Sequence, residues 1–205
     1  MERFVKVAGA AAPFPAANVD TDVIMPKAFL KGIDRSGLAR GLFHDLRFDA
    51  DGQERPDFIL NRAAMRSARF LLTGPNFGCG SSREHAVWGM QQFGIRGLIG
   101  TTFAGIFSDN AANNGLLLVS LPEEDLERLF SAVGPDGAEI DVDLEKLKIR
   151  TADLSLPFTI EETRRRALME GLDRIGTTLE KSREIRAFEA TYFAETPWLD
   201  RGRAA

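Results

Sequence analysis

The rhythm of apolar and polar positions changes near Ala68. From there ARFLLTG (68–74) is a continuous apolar run of strand length, GPNFGCG (74–80) has the composition of a tight loop, and SSREHAVWGMQQF (81–93) carries helical spacing that Gly94 can stop. The alternation continues. IRGLIGTT (95–102) predicts a strand, FAGIFSDNAANNG (103–115) a short helix and LLLVSL (116–121) another strand. PEEDLERLFSAVG (122–134) predicts a helix, with Pro122 and two acids at its start.

Period-two alternation in EIDVDLEKLKIRT (139–151) and LPFTI (156–160) predicts antiparallel strands. The tail from Glu161 to Phe193 is helical in pattern, broken between Gly171 and Gly176. Arg35 to Asn61, rich in Gly, Asp and Arg, predicts a long irregular excursion serving as a lid or a partner contact. The expected fold class is α/β, with added β-hairpins and C-terminal helices. No repeat or linker divides the chain, so residues 1–205 are expected to form one domain, its core ending near 193 and a tail covering 194–205.

Composition narrows the function classes. The 205 residues are 44% hydrophobic and 27% charged, with a net charge of −4, which suits a soluble globular protein rather than one with a broad nucleic-acid or membrane patch. No run approaches the roughly 20 apolar residues of a spanning helix, and the first residues lack the apolar core of a signal peptide, so a cytoplasmic location is expected. With one cysteine, Cys79, and two histidines, His44 and His85, the chain is not expected to bind a metal by itself.

The densest chemistry lies in GCGSSREHA (78–86), between a buried strand and a helix start, where free backbone N–H groups and the helix dipole favour an anion. Arg83 precedes Ala86, Val87 and Met90 on one helical stripe, so its guanidinium heads an apolar face. There it either clamps a carboxylate in two parallel hydrogen bonds, or snorkels to water or meets an internal acid. Ser81 with Glu84 fits a capping box. Alternatively Ser82 caps the helix and Ser81 projects, its alkoxide stabilised by nearby N–H groups and Arg83 so that it can take a proton. His85 and Cys79 each read as structural or as reactive groups. The G-x-G-x-x-G, G-x-S-x-G and P-loop patterns are absent.

NFGCGSSREHA (76–86), with NVDTDVIMPKAFLK (18–31), IFSDNAANNGLLLV (106–119) and GLDRIGTTLE (171–180), closely resembles the small-subunit family of bacterial 3-isopropylmalate dehydratase. The resemblance implies a swivelling β/β/α domain similar to the aconitase C-terminal domain, working only with a large subunit that carries a 4Fe-4S cluster. It implies interconversion of 2- and 3-isopropylmalate through 2-isopropylmaleate, in leucine biosynthesis. On the matching positions, Ser81 is implied as the proton-abstracting base, Ser82 as its support, Arg83 as the clamp for a carboxylate of the small dicarboxylate substrate, and Asp22 as an orienting aspartate. For Asp22 a cap or Asx turn before Pro26 is the competing reading. Phe29, Leu30 and Lys31 match the loop that reads the substrate's alkyl group, or else form contacts between subunits. The chain departs from the family pattern at LFHDLRF (42–48) and at Val87, positions that leave the serine–arginine core intact and bear on which 2-alkylmalate is taken. A non-catalytic anion-binding module is the rival reading from another class.

Overall fold

The computed structural model describes residues 1–31 and 36–199. Arg35, at the head of the expected excursion, and residues 200–205 of the expected tail lie outside the described residues. Two compact units are distinguished, Met1–Gly171 and Leu172–Ala205.

In the first unit the elements run β1 (Lys6–Phe14), α1 (Thr21–Ile24), α2 (Leu38–Gly41), α3 (His44–Arg47), β2 (Phe70–Thr73), α4 (Glu84–Phe93), β3 (Gly97–Gly100), α5 (Gly105–Asn114) and β4 (Leu117–Ser120). They continue with α6 (Glu123–Val133), β5 (Ala138–Asp143), β6 (Lys148–Arg150), β7 (Ser155–Pro157) and α7 (Glu162–Glu170). The seven strands form one mixed sheet in the order β4-β3-β2-β1-β5-β6-β7. The β4-to-β1 half is parallel and the β1-to-β7 half antiparallel.

Period-two alternation feeds two cores, one on each face of the sheet. On β2, Leu71 joins the cluster beneath α4 and α5, while Phe70 and Leu72 join the opposite one with Leu126 and Leu129 of α6. Leu98 and Ile99 of β3 divide in the same way. Helix α4 stops where the spacing predicted: Gly94, at φ +113°, lets its N–H and that of Ile95 return to Met90 O.

Two stretches differ from expectation. The first is β1, which the apolar pattern does not reveal, yet it lies at the centre of the sheet with Ala11 and Ala12 fully buried. The second is the 36–61 stretch, which is not an irregular excursion. It contains α2 and α3 and buries Leu38, Leu42, Phe43, Ile59 and Leu60. Phe43 adopts φ +50°, unusual for a bulky residue, and its ring packs against Phe14, Phe58 and Phe77. Arg47 is held by neutral acceptors: Nε donates to Asn61 Oδ1 (3.1 Å) and Nη1 to the carbonyls of Ala39 and Leu42. Asn61 returns Nδ2 to the carbonyls of Arg47 and Arg55. Cooperating tertiary bonds, not local propensity, give this stretch its order.

The second unit contains α8 (Arg174–Glu180), α9 (Ser182–Glu195) and a 3₁₀ turn at Pro197–Leu199. Asp173 caps α8 by accepting from Gly176 N–H at 2.7 Å, so the break in the tail ends before Gly176 rather than at it. Among the described residues, no helix is long and apolar enough to cross a membrane.

Candidate active site

The loops that leave β1, β2 and β3 at their C-terminal ends converge beyond the parallel half of the sheet, the edge where ligands bind in open parallel sheets. Residues 75–79 are laced to 18–21 by backbone hydrogen bonds. Asn18 N–H donates to Pro75 O, Gly78 N–H to Val19 O (2.8 Å) and Thr21 N–H to Cys79 O (2.8 Å). On the other side Phe77 N–H donates to Thr102 O, and Ala104 N–H to Phe77 O. Gly78 and Gly80 carry φ of +79° and +88°, and a Cβ on Gly80 would come within 2.7 Å of Asp20 Oδ2. The loop therefore needs glycine for its turn and for its close approach to 18–22.

Ser81 is fixed through its backbone, whose carbonyl accepts from Thr21 Oγ1 at 2.8 Å. Its side chain is exposed, and the hydroxyl has no hydrogen-bond partner among the described residues. Ser82, also exposed, accepts from Asn110 Nδ2 of α5 at 3.5 Å. Neither serine caps α4. Arg83 occupies the N-cap position in extended geometry, with no side-chain capping bond, so the expected capping box does not form. The lacing to 18–22 places the helix start two residues later than the S-x-x-E pattern requires.

Arg83 is 7% exposed, and its Nη1 donates to Met25 O at 3.1 Å and pairs with Asp22 Oδ1. The internal-acid alternative is thus the one the isolated chain adopts, and both contacts use one arm of the fork. The guanidinium, hydrogen-bonded to Asp22, holds that carboxyl below the usual carboxylate range. The cap of α1 belongs to Asp20, whose carboxylate accepts from Asp22 N–H, so the capping reading fails for Asp22. Its side chain is left to the arginine.

Pro26 follows Met25 directly and opens the 3₁₀ turn Lys27–Leu30, in which Phe29 and Leu30 are half-buried against the core, while Lys31 beyond it is exposed. Phe29 stacks on His44 with centroids 4.9 Å apart. His85 packs on Trp88 at 4.7 Å, and Cys79 is a half-buried free thiol in a bridge with Asp20. Among the described residues, no three His, Cys, Asp or Glu side chains gather as a metal site. Asp20, Thr21, Asn110 and Asn114 complete the surroundings and were not singled out from sequence. Their signals are the D-T-D triplet and the i,i+4 asparagine pair facing α4.

A family model described as the aconitase C-terminal domain matches residues 1–124, and one described as the C-terminal domain of the 3-isopropylmalate dehydratase small subunit matches 175–202. A curated relative from Salmonella typhimurium, a 3-isopropylmalate dehydratase small subunit 2, is 54% identical over 98% of this chain and 97% of its own length. The chain belongs to the 3-isopropylmalate dehydratase small-subunit family. Another such small subunit, from Rhizobium johnstonii, is 50% identical over 97% of this chain and 99% of its own length. The crystal structure of a Methanocaldococcus jannaschii 3-isopropylmalate dehydratase of this family superposes with a TM-score of 0.66 at 26% identity, covering 90% of this chain and 99% of that one. The family and the fold implied by NFGCGSSREHA and its companion blocks therefore hold.

Proposed function

We propose that this chain is the small subunit of a 3-isopropylmalate dehydratase, a cytoplasmic hydro-lyase of leucine biosynthesis active only with its large subunit, and that both compact units serve that one subunit. The observation that carries the reading is an exposed Ser81 hydroxyl, without a hydrogen-bond partner among the described residues, two positions before a buried Arg83 in one glycine-shaped loop.

In this reading Ser81 abstracts the proton from the carbon next to a substrate carboxylate, and returns it on rehydration. The adjacent Arg83 cation lowers the cost of the alkoxide. Because Met25 and Asp22 engage Nη1, the rest of the Arg83 guanidinium is left for a substrate carboxylate. Asp22 balances the cation and fixes its rotation, and Ser82, steadied by Asn110, supports the same carboxylate. Phe29 and Leu30 are assigned to the side facing the substrate's branched alkyl group, with Lys31 at the exposed rim. This chain's donor set does not fit a 4Fe-4S cluster, so the cluster is assigned to the large subunit, where it supplies Lewis-acid activation of the departing hydroxyl.

The test is co-expression with a cluster-bearing large subunit, anaerobic reconstitution, and spectroscopic detection of the alkene from a panel of 2-alkylmalates. The expected result is turnover of isopropylmalate ahead of methylmalate, and a loss of about 10²–10⁴ in kcat for Ser81→Ala. Retained turnover in that variant removes the serine from the mechanism. Preference for another malate changes the substrate and leaves the machinery standing.

A further inference from the structure

Asn114, the last residue of α5, uses its whole amide and its backbone carbonyl on the neighbouring helix and on its own preceding turn. Its Nδ2 donates to Glu84 Oε1 at 2.7 Å and to Asn110 O at 2.8 Å. Its Oδ1 accepts from Trp88 Nε1 at 2.9 Å, and its carbonyl accepts from Gln91 Nε2 at 2.5 Å. Glu84, Trp88 and Gln91 are spaced i, i+4, i+7 and so share one face of α4. One side chain thereby fixes both the axial height and the rotation of α4 against α5.

The consequence falls on the site because Glu84 is the first residue of α4 and follows Arg83 directly. One turn earlier on α5, Asn110 reaches Ser82. The two asparagines thus reach both residues that flank Arg83, Glu84 at 2.7 Å and Ser82 at 3.5 Å, while Arg83 at the N-cap makes no side-chain capping bond. The task a cap performs elsewhere is done across the helix pair.

We propose that Asn114 is a positioning residue for the Ser81–Arg83 segment, acting through Glu84 and through Asn110. This rests on the assignment of Ser81 and Arg83 to the dehydratase reaction. An amide is required because the site presents an acceptor, Glu84, and a donor, the Trp88 indole, to its two ends. Aspartate has the same shape but turns an acceptor toward Glu84, so two carboxylates meet at hydrogen-bond distance and push the start of α4 away from α5. A displacement near 1 Å at a reacting group can cost on the order of a hundredfold.

The experiment compares wild type, Asn114→Asp and the double variant Glu84→Gln/Asn114→Asp, which restores the bond to residue 84 with donor and acceptor exchanged but not the one to Asn110 O, all assembled with the large subunit. Asn114→Asp is expected to lower kcat/KM by about tenfold or more. The double variant should recover most of the lost kcat/KM, the part owed to the bond with residue 84, a recovery that rests on geometry rather than on the charge of Glu84. The isolated full chain supplies a second signal, because it has two tryptophans, Trp88 and the exposed Trp198. The Trp88 indole N–H resonance should shift in the single variant and return in the double.

A single variant with wild-type kinetics and a shifted indole signal overturns the inference. So does a double variant that folds, recovers the indole signal and still lacks activity. Should Asn114→Asp fail to assemble, the double variant decides alone by the same criterion. Ser81→Ala, measured alongside, keeps the two claims apart: if it turns over, the reading of the site has failed, whatever Asn114 does.

Discussion

Replacing Gly78 with alanine probes the loop on which the site depends. The residue sits at φ +79°, where an L side chain costs roughly 1–2 kcal/mol. The added Cβ would stand 2.6 Å from Phe107 Cβ and 2.8 Å from Phe107 Cδ1. Phe107 is 2% exposed and packs edge-on against Phe77 at 5.5 Å, so its ring has no room to retreat. Forcing a methyl into such packing costs a further 1–3 kcal/mol or so. The sum, about 2–5 kcal/mol, is a large share of the roughly 5–15 kcal/mol that holds a domain folded. Urea unfolding followed by circular dichroism should read it as a fall in midpoint of about 1–2 M at unchanged slope. The cause can be isolated in a cycle with Phe107→Ala, which by itself costs about 3–5 kcal/mol. With the ring gone, Gly78→Ala should lose the ring's part of its cost and keep its dihedral share and the contact with the remaining Cβ of residue 107. A cost below about 1 kcal/mol, or the same cost in both backgrounds, refutes the reasoning.

Three further outcomes are expected. Arg83→Lys should raise KM for the dicarboxylate by about ten- to a hundredfold, because a point charge cannot make two parallel bonds; an unchanged KM in steady-state assays would remove Arg83 from substrate binding. Asp22→Asn tests the ion pair through pH. The folded carboxyl lies below its ordinary range, so its stabilisation is present above that range and fades as pH falls through the depressed value. The melting-temperature gap between wild type and variant should therefore be wide at neutral pH and close on acidification, and a gap that ignores pH counts against the pair. Asn61→Ala should destabilise by about 2–4 kcal/mol in denaturant melts, since it strands Arg47 Nε and two carbonyls, and a loss under about 1 kcal/mol would show that water replaces the amide.

From β2 to α6 the elements could be read directly, because each strand is a short apolar run and glycines close the helices. Gly94 and Gly115 are both left-handed caps in the structure. That Arg83 would be buried and partnered was legible for a similar reason: a cation at the head of an apolar stripe needs a partner wherever the chain places it. What could not be read is long-range. β1 is an apolar run, but its alanines, glycine and proline lack the large or branched side chains that mark a strand, yet they suit a central strand pressed between two neighbours. The S-x-x-E pattern is a true capping signal locally, but the bonds from Thr21 to Cys79 and Ser81 hold the serine in the loop. Phe43 carries a backbone angle its residue type disfavours, and only the rings of Phe14, Phe58 and Phe77 around it explain why it stays there.

The same contest between local and distant bonds bears on how the proposed site changes when substrate arrives. The two side chains of the Arg83–Asp22 pair are unequal: the arginine is 7% exposed and the aspartate 46%. Separating them by moving the arginine would leave a buried cation bare, which is costly. Moving the aspartate lets it rehydrate from a half-open position, which costs far less. On the proposed assignment, a carboxylate entering from solvent would meet a guanidinium already charged and oriented on Nη1 by Met25 O and Asp22, and the aspartate is the partner better able to shift around it. In that proposal the internal acid keeps the fork organised from one arm and leaves the rest of it to the substrate's own group. Preorganisation of this kind acts on binding before any proton moves, so retained affinity in Asp22→Asn would mean that the aspartate orients the arginine by shape alone, and lost affinity that its charge is needed.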